Sequence, residues 1–536
     1  MSSIAATAVP PTRVAINPWI VAAAVVVPTF MEVLDTTVAN VALRYMAGSL
    51  SAAVTDAEWV ITSYLAANAF ILPITGWLSQ RFGRRNYFLM SIAVFTIASG
   101  LCGMATSLEQ LVLFRILQGL AGGGLQPSSQ GILMDSFPRE KQGAAMTLFG
   151  VAALLAPVIG PTLGGYLTVN YDWRWIFFIN LPVGALGLVA CYLLVQDPKY
   201  LQEEREKLKL RPAKFDTIGL GLLALVMSSW EVILSKGQEW DWLGDPFWRM
   251  QILLVAFGLG LGILIFRELT IANPIVNFRV LFERNLAVAC AIVFFAYSVL
   301  YGASTSLPGL LQSLFGYDAY LSGLVMSPSG VFSIMMLSVV GTLITRGTDA
   351  RWLIGTGLFV LASGCYWMSV MNLEISPWNV VWPRVVIITG LSMVFAPLNV
   401  SAYLFTPQHL RGAAVGLFAL LRNEGGSFGT TVAKIIQERR AQFHTSRVGE
   451  FLDPLNPQVN SFLEQAQAFY FQQSGDAAAS RQFAIHALQQ LQTQQALSLA
   501  YFDIFFVGSV LGISLIGLVA LMKRSVAAKG AQIHAE

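Results

Sequence analysis

A handful of ionisable side chains stand inside long apolar runs: Glu32 and Asp35 in the first, Arg115 in the fourth, Arg422 and Glu424 in the thirteenth. Placing such a group at the centre of a membrane helix costs roughly 2.5–3.5 kcal/mol on insertion scales, so it is kept where it meets a polar cavity or a partner. Asp35 is the leading candidate for reversible proton binding, because desolvation penalises its charged form and lets it hold a proton until a cavity opens. Glu32, three residues earlier, shares nearly the same helical face. A cation such as Arg115 favours the carboxylate, so its approach to an acid would prompt proton release and act as a switch. The plainer readings are a hydrogen-bonded structural acid at Asp35 and a headgroup-facing or cavity-wall residue at Glu32. Arg422 and Glu424, two residues apart, do not share a helix face; each is expected in an interhelical salt bridge or against a substrate. Glu231, near the end of its run, reads as interfacial. None of the four histidines, His409, His444, His486 and His534, falls in an apolar run, so proton chemistry is left to carboxylates.

The elements that position these groups follow from composition. Of 536 residues 55% are hydrophobic and only 12% charged, which excludes an ordinary soluble domain and points to an all-α polytopic membrane protein. Cys102, Cys191, Cys290 and Cys365 all lie in apolar runs and read as packing residues, neither a disulfide framework nor a metal cluster. Windows of about 20 residues give spans near 17–41, 57–79, 86–106, 109–134, 142–168 and 172–196; then 214–235 and 247–270; then 285–307, 320–345, 350–371, 378–404, 411–436 and 498–522. The first span is expected to be retained, with no cleavable signal. Fourteen helices result, in a 6 + 2 + 6 order.

An internal repeat supports that division. Arg115, Pro138, Gly143-Ala-Ala and Leu148-Phe149 recur as Arg384, Pro407, Gly412-Ala-Ala and Leu417-Phe418 at a shift of 269, and Gly76-x-Leu78-x-x-Arg81 recurs as Gly341-x-Leu343-x-x-Arg346. Repeated apolar halves suit a protein that opens alternately to two sides. The domains read as a six-helix bundle over 1–196, a linker with an inserted helix pair over 197–284, a second six-helix bundle over 285–522 and a tail over 523–536. Basic residues place both termini in the cytoplasm: Arg13, Arg81, Arg84, Arg85, Arg139, Lys141, Arg346, Arg351, Arg411, Lys523, Arg524, Lys529 and six more from Lys199 to Lys214 fall on one side. Trp240, Trp242 and Trp248 fit an aromatic belt at the other interface.

Gly76-Trp-Leu-Ser-Gln80-Arg81-Phe-Gly83-Arg84-Arg85, Arg115 with Gly119, Gly160-Pro161-Thr-Leu-Gly164-Gly165 and Leu34-Asp35-Thr-Thr-Val-Ala-Asn40 occur in order. They resemble the cytoplasmic-loop, helix-four, antiporter and helix-one motifs of the major facilitator superfamily and its fourteen-helix drug:proton antiporters. Trp59-Val-Ile-Thr-Ser63, Thr75-Gly-Trp77 and Trp175-Ile-Phe-Phe-Ile-Asn180 make the chain most similar to the EmrB-type multidrug exporters of Gram-negative inner membranes. The resemblance implies a major facilitator fold in which Gly76, Arg81, Gly83, Arg84 and Arg85 form a cytoplasmic gate and Gly160, Pro161, Gly164 and Gly165 an antiporter motif at a rocking interface. Two positions depart from the pattern: Gln80 stands where an acid is usual, and Ala156 where a glycine is.

Proton-driven export of amphipathic, drug-like compounds is the implied activity, with no cofactor, no metal and no nucleic acid. No G-x-x-x-x-G-K-[ST] loop occurs. The alternative is export of one specific metabolite, a siderophore, peptide or organic acid, because fold does not fix substrate. Tyr64, Asn68, Gln126, Gln130 and Asn399 are polar positions in apolar helices, available either to line a cavity or to satisfy neighbouring backbone. The Arg384 repeat position has no acid partner, since the counterpart of Asp35 falls at Tyr301–Ser304; proton coupling is therefore expected in the first half alone. Residues 437–497 are polar, with Phe462, Ala466, Phe469, Phe483, Leu488 and Leu491 at helical spacings. They are expected to form periplasmic helices, and the resemblance implies a periplasmic membrane-fusion adaptor and an outer-membrane channel as partners.

Overall fold

The computed structural model describes residues 17–525 apart from 139–140, 198–215, 272–273, 318, 374–375, 408–409 and 454. Arg13, Arg139, Lys199 to Lys214, Lys529, His409 and His534 lie outside the described residues. Thirteen helices in sequence order are α1 Pro18–Ser49, α2 Trp59–Phe82, α3 Arg84–Gly103, α4 (Leu108–Gly122 and Leu125–Ser136), α5 Gln142–Asn170, α6 Trp175–Leu194, α7 Thr217–Lys236, α8 Arg249–Thr270, α9 Arg284–Ser313, α10 Leu321–Thr345, α11 Ala350–Ser369, α12 Pro377–Tyr403 and α13 Arg411–Gly449. A shorter helix, α14 Pro457–Ser474, leads into α15 Ala477–Val519. Among the described residues, 11 helices are long and apolar enough to cross a membrane, or 12 if the two arms of α5, bent by 45°, are one span. Besides the short α14, the helices outside that count, α4 and α13, are rich in polar groups: Arg115, Gln118, Gln126 and Gln130 on one, Arg422, Asn423 and Glu424 on the other.

The repeat reappears in the packing. α1 packs on α5 and α6 as α9 packs on α13 and α15; α2 packs on α4 as α10 on α12; α3 packs on α6 as α11 on α15. The halves meet along α5 with α10 and along α2 with α13. Apolar contact joins them at Phe149 and Phe395, whose rings stack 6.2 Å apart. Outward from this core, Leu186, Val189, Leu193, Ile252, Val255, Leu259, Ile263, Val331 and Met335 are exposed, as bilayer-facing surfaces of membrane helices are.

The inserted pair α7–α8 lies against α2 and α13 through α7, while α8 is the least buried span. Thr62 of α2 bonds the Ser235 hydroxyl, and Thr431 of α13 donates to the Leu234 carbonyl at 3.0 Å. Asp216 caps α7 at Gly219 and accepts from Arg267 of α8 at 2.8 Å; that hydrogen bond keeps its carboxyl below the usual carboxylate range. At the other end, Asp245 accepts from Arg249, which pulls its pKa down to about 2.

The expected periplasmic segment is largely an extension of two bundle helices. α13 runs unbroken to Gly449, well past the expected 436, and α15 begins at Ala477 rather than near 498. Arg440 and His444 of α13 reach Asp503 of α15 at 2.5 and 2.7 Å, and Gln492 donates to the Thr445 carbonyl. Once two helices are cross-braced, no packing reason ends them at the membrane boundary, which hydropathy alone marks.

Candidate functional site

Two carboxylates on α1 organise two different clusters. Asp35 is enclosed in the first half. It accepts from Arg115 Nη1 at 2.6 Å, Gln118 Nε2 at 3.0 Å and Asn180 Nδ2 at 2.9 Å. Arg115, 1% exposed, also donates through Nε to the Val60 carbonyl and lies 4.2 Å over the Tyr64 ring. Excellent geometry and extra hydrogen bonds are what allow a buried ion pair to repay its desolvation. Removing one partner would leave the other charge uncompensated, at a cost of about 3–5 kcal/mol.

Glu32 instead joins the halves. Tyr64 Oη and Asn68 Nδ2 of α2 each donate to it at 3.2 Å, and Gln126 Nε2 of α4 at 2.6 Å. Gln126 in turn accepts from Arg422 of α13, and Asn423 donates to Asn68 at 3.1 Å. Glu32, Tyr64, Arg115, Gln126, Tyr301 and Asn423 line a cavity of about 170 Å³ between the halves, whereas Asp35 lies behind its wall.

The other expected cavity residues are placed elsewhere. Asn68 and Arg422 belong to the network beside the cavity without lining it. Gln130 is fully buried in α4 with no hydrogen-bond partner among the described residues, and Asn399 donates to the Phe395 carbonyl one turn back. Among the described residues Glu424 meets no basic residue: it faces Glu231 of α7. Glu231 is 2% exposed, packed inside the protein. The interfacial expectation for Glu231 rests on its depth along α7, and depth does not say which face of α7 packs on α13. Sequence reasoning also missed Gln118, Asn180 and Asn423. Asn180 closes the Trp175-to-Asn180 motif, and an amide ending an apolar stretch is the signal that could have found it.

The model of the Major Facilitator Superfamily matches residues 26–430. The chain belongs to that superfamily. Within it, the chain is 34% identical to the multidrug export protein EmrB of Escherichia coli (strain K12) over 504 residues, covering 94% of each protein. It is 34% identical to the fatty acid resistance protein FarB of Neisseria gonorrhoeae over 518 residues, covering 96% of this chain and 97% of that one. Its fold resembles that of the proton:xylose symporter XylE, with a TM-score of 0.57 at 13% identity over 94% of this chain and 99% of that one. The EmrB-type character expected from the motifs is therefore established.

With the family in place, the loop and antiporter motifs can be located. A side chain at Gly76 would stand 2.9 Å from the Gly412 backbone, so the halves touch backbone to backbone at the end carrying the arginine loop. Gly83 turns the chain between α2 and α3 at φ 87°, a left-handed conformation natural to glycine. Arg84 pairs with Asp135 of α4, and Arg85 binds Asp197 through its amide and the Tyr192 carbonyl of α6 through its guanidinium at 2.7 Å. Arg81 is exposed. Arg84 and Arg85 therefore tie the loop to its own half. In the antiporter motif, Gly160 and Gly164 lie against Thr37 and Val38 of α1 so closely that a Cβ on either would clash; Pro161 and Gly165 sit in the same stretch of α5. Gly425 and Gly429 of α13 pack as tightly on Phe294 and Ser298 of α9, the same interface in the second half.

Proposed function

We propose that the chain is a proton-coupled antiporter of the bacterial inner membrane that exports amphipathic toxic compounds. In this reading fourteen helices cross the membrane as 6 + 2 + 6, both termini are cytoplasmic, and the domains are 1–196, 197–284, 285–522 and 523–536. One observation carries it: the acid Asp35 is paired at 2.6 Å with Arg115 directly behind a cavity lined by a second acid, Glu32. The names of the relatives, multidrug export and fatty acid resistance, support amphipathic substrates of more than one kind.

The mechanism follows from the geometry. With Gly76 against Gly412, the halves are shut on the cytoplasmic side and the cavity lies outward of that seal. A proton arriving through the cavity neutralises Asp35 and releases Arg115, whose guanidinium is then held by Val60, Gln118 and the Tyr64 and Phe177 rings without a counterion. Rocking of the two halves about their contacts, α5 with α10 and α2 with α13, opens the inner side, while the close glycine contacts of α1–α5 and α9–α13 hold each half together. There the pair reforms as the proton leaves. Each inward charge crossing about 100 mV supplies ~2.3 kcal/mol, and each pH unit ~1.4 kcal/mol, enough together for a several-hundredfold substrate gradient. Glu32, held by three side chains and linked to Arg422, gives a cationic or hydrogen-bonding substrate its polar contact. The brace of α13 and α15 beyond the membrane is the surface on which a periplasmic membrane-fusion adaptor, continuing to an outer-membrane channel, would dock.

The test is drug-dependent proton movement in proteoliposomes under an imposed pH gradient, comparing the intact protein with Asp35→Asn. Signal that disappears in the variant supports coupling through Asp35. Signal that persists moves the coupling site to Glu32 or Glu424, and no signal with any drug in the intact protein would sink the antiport reading.

A further inference from the structure

One buried acidic contact takes no part in the mechanism above. Glu231 of α7 and Glu424 of α13 lie within hydrogen-bonding reach of each other, at 2% and 5% exposure. Neither carboxyl oxygen of Glu424 has a well-formed hydrogen bond among the described residues, the Trp230 indole being the donor nearest to it. Trp230 and Ser427 are the other polar groups at the contact.

Among the described residues, neither acid forms an ion pair with a cation. On α13, Arg422 is turned to Gln126, between the Phe149 and Tyr297 rings, and Lys434 reaches Glu58. On α7, Lys236 reaches Glu58 and Glu239. From α8, Arg249 and Arg267 bind Asp245 and Asp216 at the helix ends, and Glu268 accepts from the Val276 amide. α2 contributes Tyr64, bonded to Glu32, and Arg81 at the far end; α4 contributes Asp135, paired with Arg84. α9 contributes Tyr297, Tyr301 and Cys290, α12 Tyr403, and α15 Tyr501 and Asp503, the last bound by Arg440. Two bare carboxylates in contact at such a site would repel each other with both desolvated, a cost that the neutral donors Ser427 and Trp230 offset only in part. One proton between them converts the clash into a charge-assisted acid–carboxylate hydrogen bond, the arrangement that lets close carboxyl pairs share a single proton.

The pair is also connected to the transport path. Ser427 touches Glu231 on one side and lines the central cavity on the other. α7 is pinned to both α2 and α13, the helices whose separation opens the cavity. We propose that Glu231 and Glu424 form a second proton site, holding one shared proton that exchanges with the cavity by way of Ser427 and makes the inserted helix pair part of the coupling machinery. The ligand is the proton itself. The site rests on the antiport reading only for its turnover, since the shared proton is present in the resting protein.

Two measurements on the full chain in lipid separate these claims. Infrared spectroscopy at neutral pH should show a protonated-carboxyl stretch in the intact protein that is lost in Glu231→Gln/Glu424→Gln, a replacement that can keep an amide–amide contact between the helices. An unchanged spectrum overturns the shared proton. The proton count per exported drug, read from the membrane potential at which net exchange stops, should fall by one in the same variant. An unchanged count overturns the exchange with the cavity. Failure of the intact protein to exchange protons for any drug would instead strike the antiport reading, and the infrared band would still decide the pair.

Discussion

Arg384 donates to the Ser304 hydroxyl at 2.8 Å in the place where the other half sets Arg115 against Asp35; both members are displaced by the same 269 residues. The duplicated scaffold thus keeps the cation in each half and the acid in one. Arg384 is 1% exposed, and its Nε and Nη1 have no hydrogen-bond partner among the described residues. A buried cation without a counterion is costly, and an apolar replacement of like volume is commonly neutral or stabilising by about 1–4 kcal/mol. Arg384→Met is therefore expected to hold or raise the thermal midpoint in detergent and to leave drug-driven proton flux in place, while Arg115→Met abolishes flux. Equal loss of flux in the two would show that the halves share the coupling role.

The Asp35–Arg115 pair predicts a specific pattern in a double-mutant cycle. Asp35→Asn leaves a buried arginine without its carboxylate and should destabilise by about 3–5 kcal/mol. Adding Arg115→Gln removes that stranded charge, so the midpoint should recover most of the way although proton coupling stays absent. Thermal unfolding of the three variants checks this; additive destabilisation would mean that the pair is not the dominant interaction at either residue.

The fold was legible because three signals agreed: apolar windows of spanning length, a repeat at one shift and motifs in a fixed order. The site was legible only as residue types. Asp35, Arg115, Glu32 and Gln126 stood out as polar groups in apolar runs, yet nothing in the sequence told which acid faces the cavity, because Glu32 and Asp35 share a face on α1 and differ by which helices cross it. Glu231 and Glu424 belong to segments 193 residues apart, and the insertion has no counterpart in the repeat to suggest its neighbours. The outer helices were visible as periodic aromatics, but their continuity with α13 and α15 depends on cross-bracing that hydropathy does not register.

The Gly76–Gly412 contact predicts a conformational bias. A valine at 76 would meet backbone that cannot yield as a side chain tip does, and overpacking of this kind costs about 1–3 kcal/mol. The penalty falls only on the state sealed at the cytoplasmic side. Gly76→Val should therefore reduce the outward-open population, and a cysteine placed at Thr430 on the cavity wall should react with an outside thiol reagent about fivefold slower or more. An unchanged rate would show that this contact does not bear on the equilibrium.

Asp245 gives a pH prediction. The Arg249 hydrogen bond takes its pKa from 3.8 to about 2 in the folded protein, so the stabilisation is complete above the unfolded value and is lost as pH falls through the folded one. The α7–α8 loop should therefore stay clasped from neutral pH down past the ordinary carboxylate range. Asp245→Asn should open it at every pH, seen as faster proteolysis between Lys236 and Arg249 in the variant alone. Protection that fades near the ordinary value in the intact protein would contradict the clasp.

The outer brace predicts a separation of docking from transport. Arg440 and His444 lock α13 to Asp503 of α15, and beyond that lock Phe451 and Leu455 stand 73% and 86% exposed at the tip. In the proposed topology these apolar side chains stand on the periplasmic side of the membrane, where they suit a protein partner rather than lipid. Deleting 445–490 should abolish capture of the membrane-fusion adaptor in a pull-down, and Phe451→Ser/Leu455→Ser should weaken capture about tenfold or more, as loss of central anchors does. Both variants should still exchange protons for drug in proteoliposomes, because the cavity and Asp35 lie on the far side of the brace. Full adaptor binding by the deletion would eliminate docking here and leave the brace as a cover over the exit.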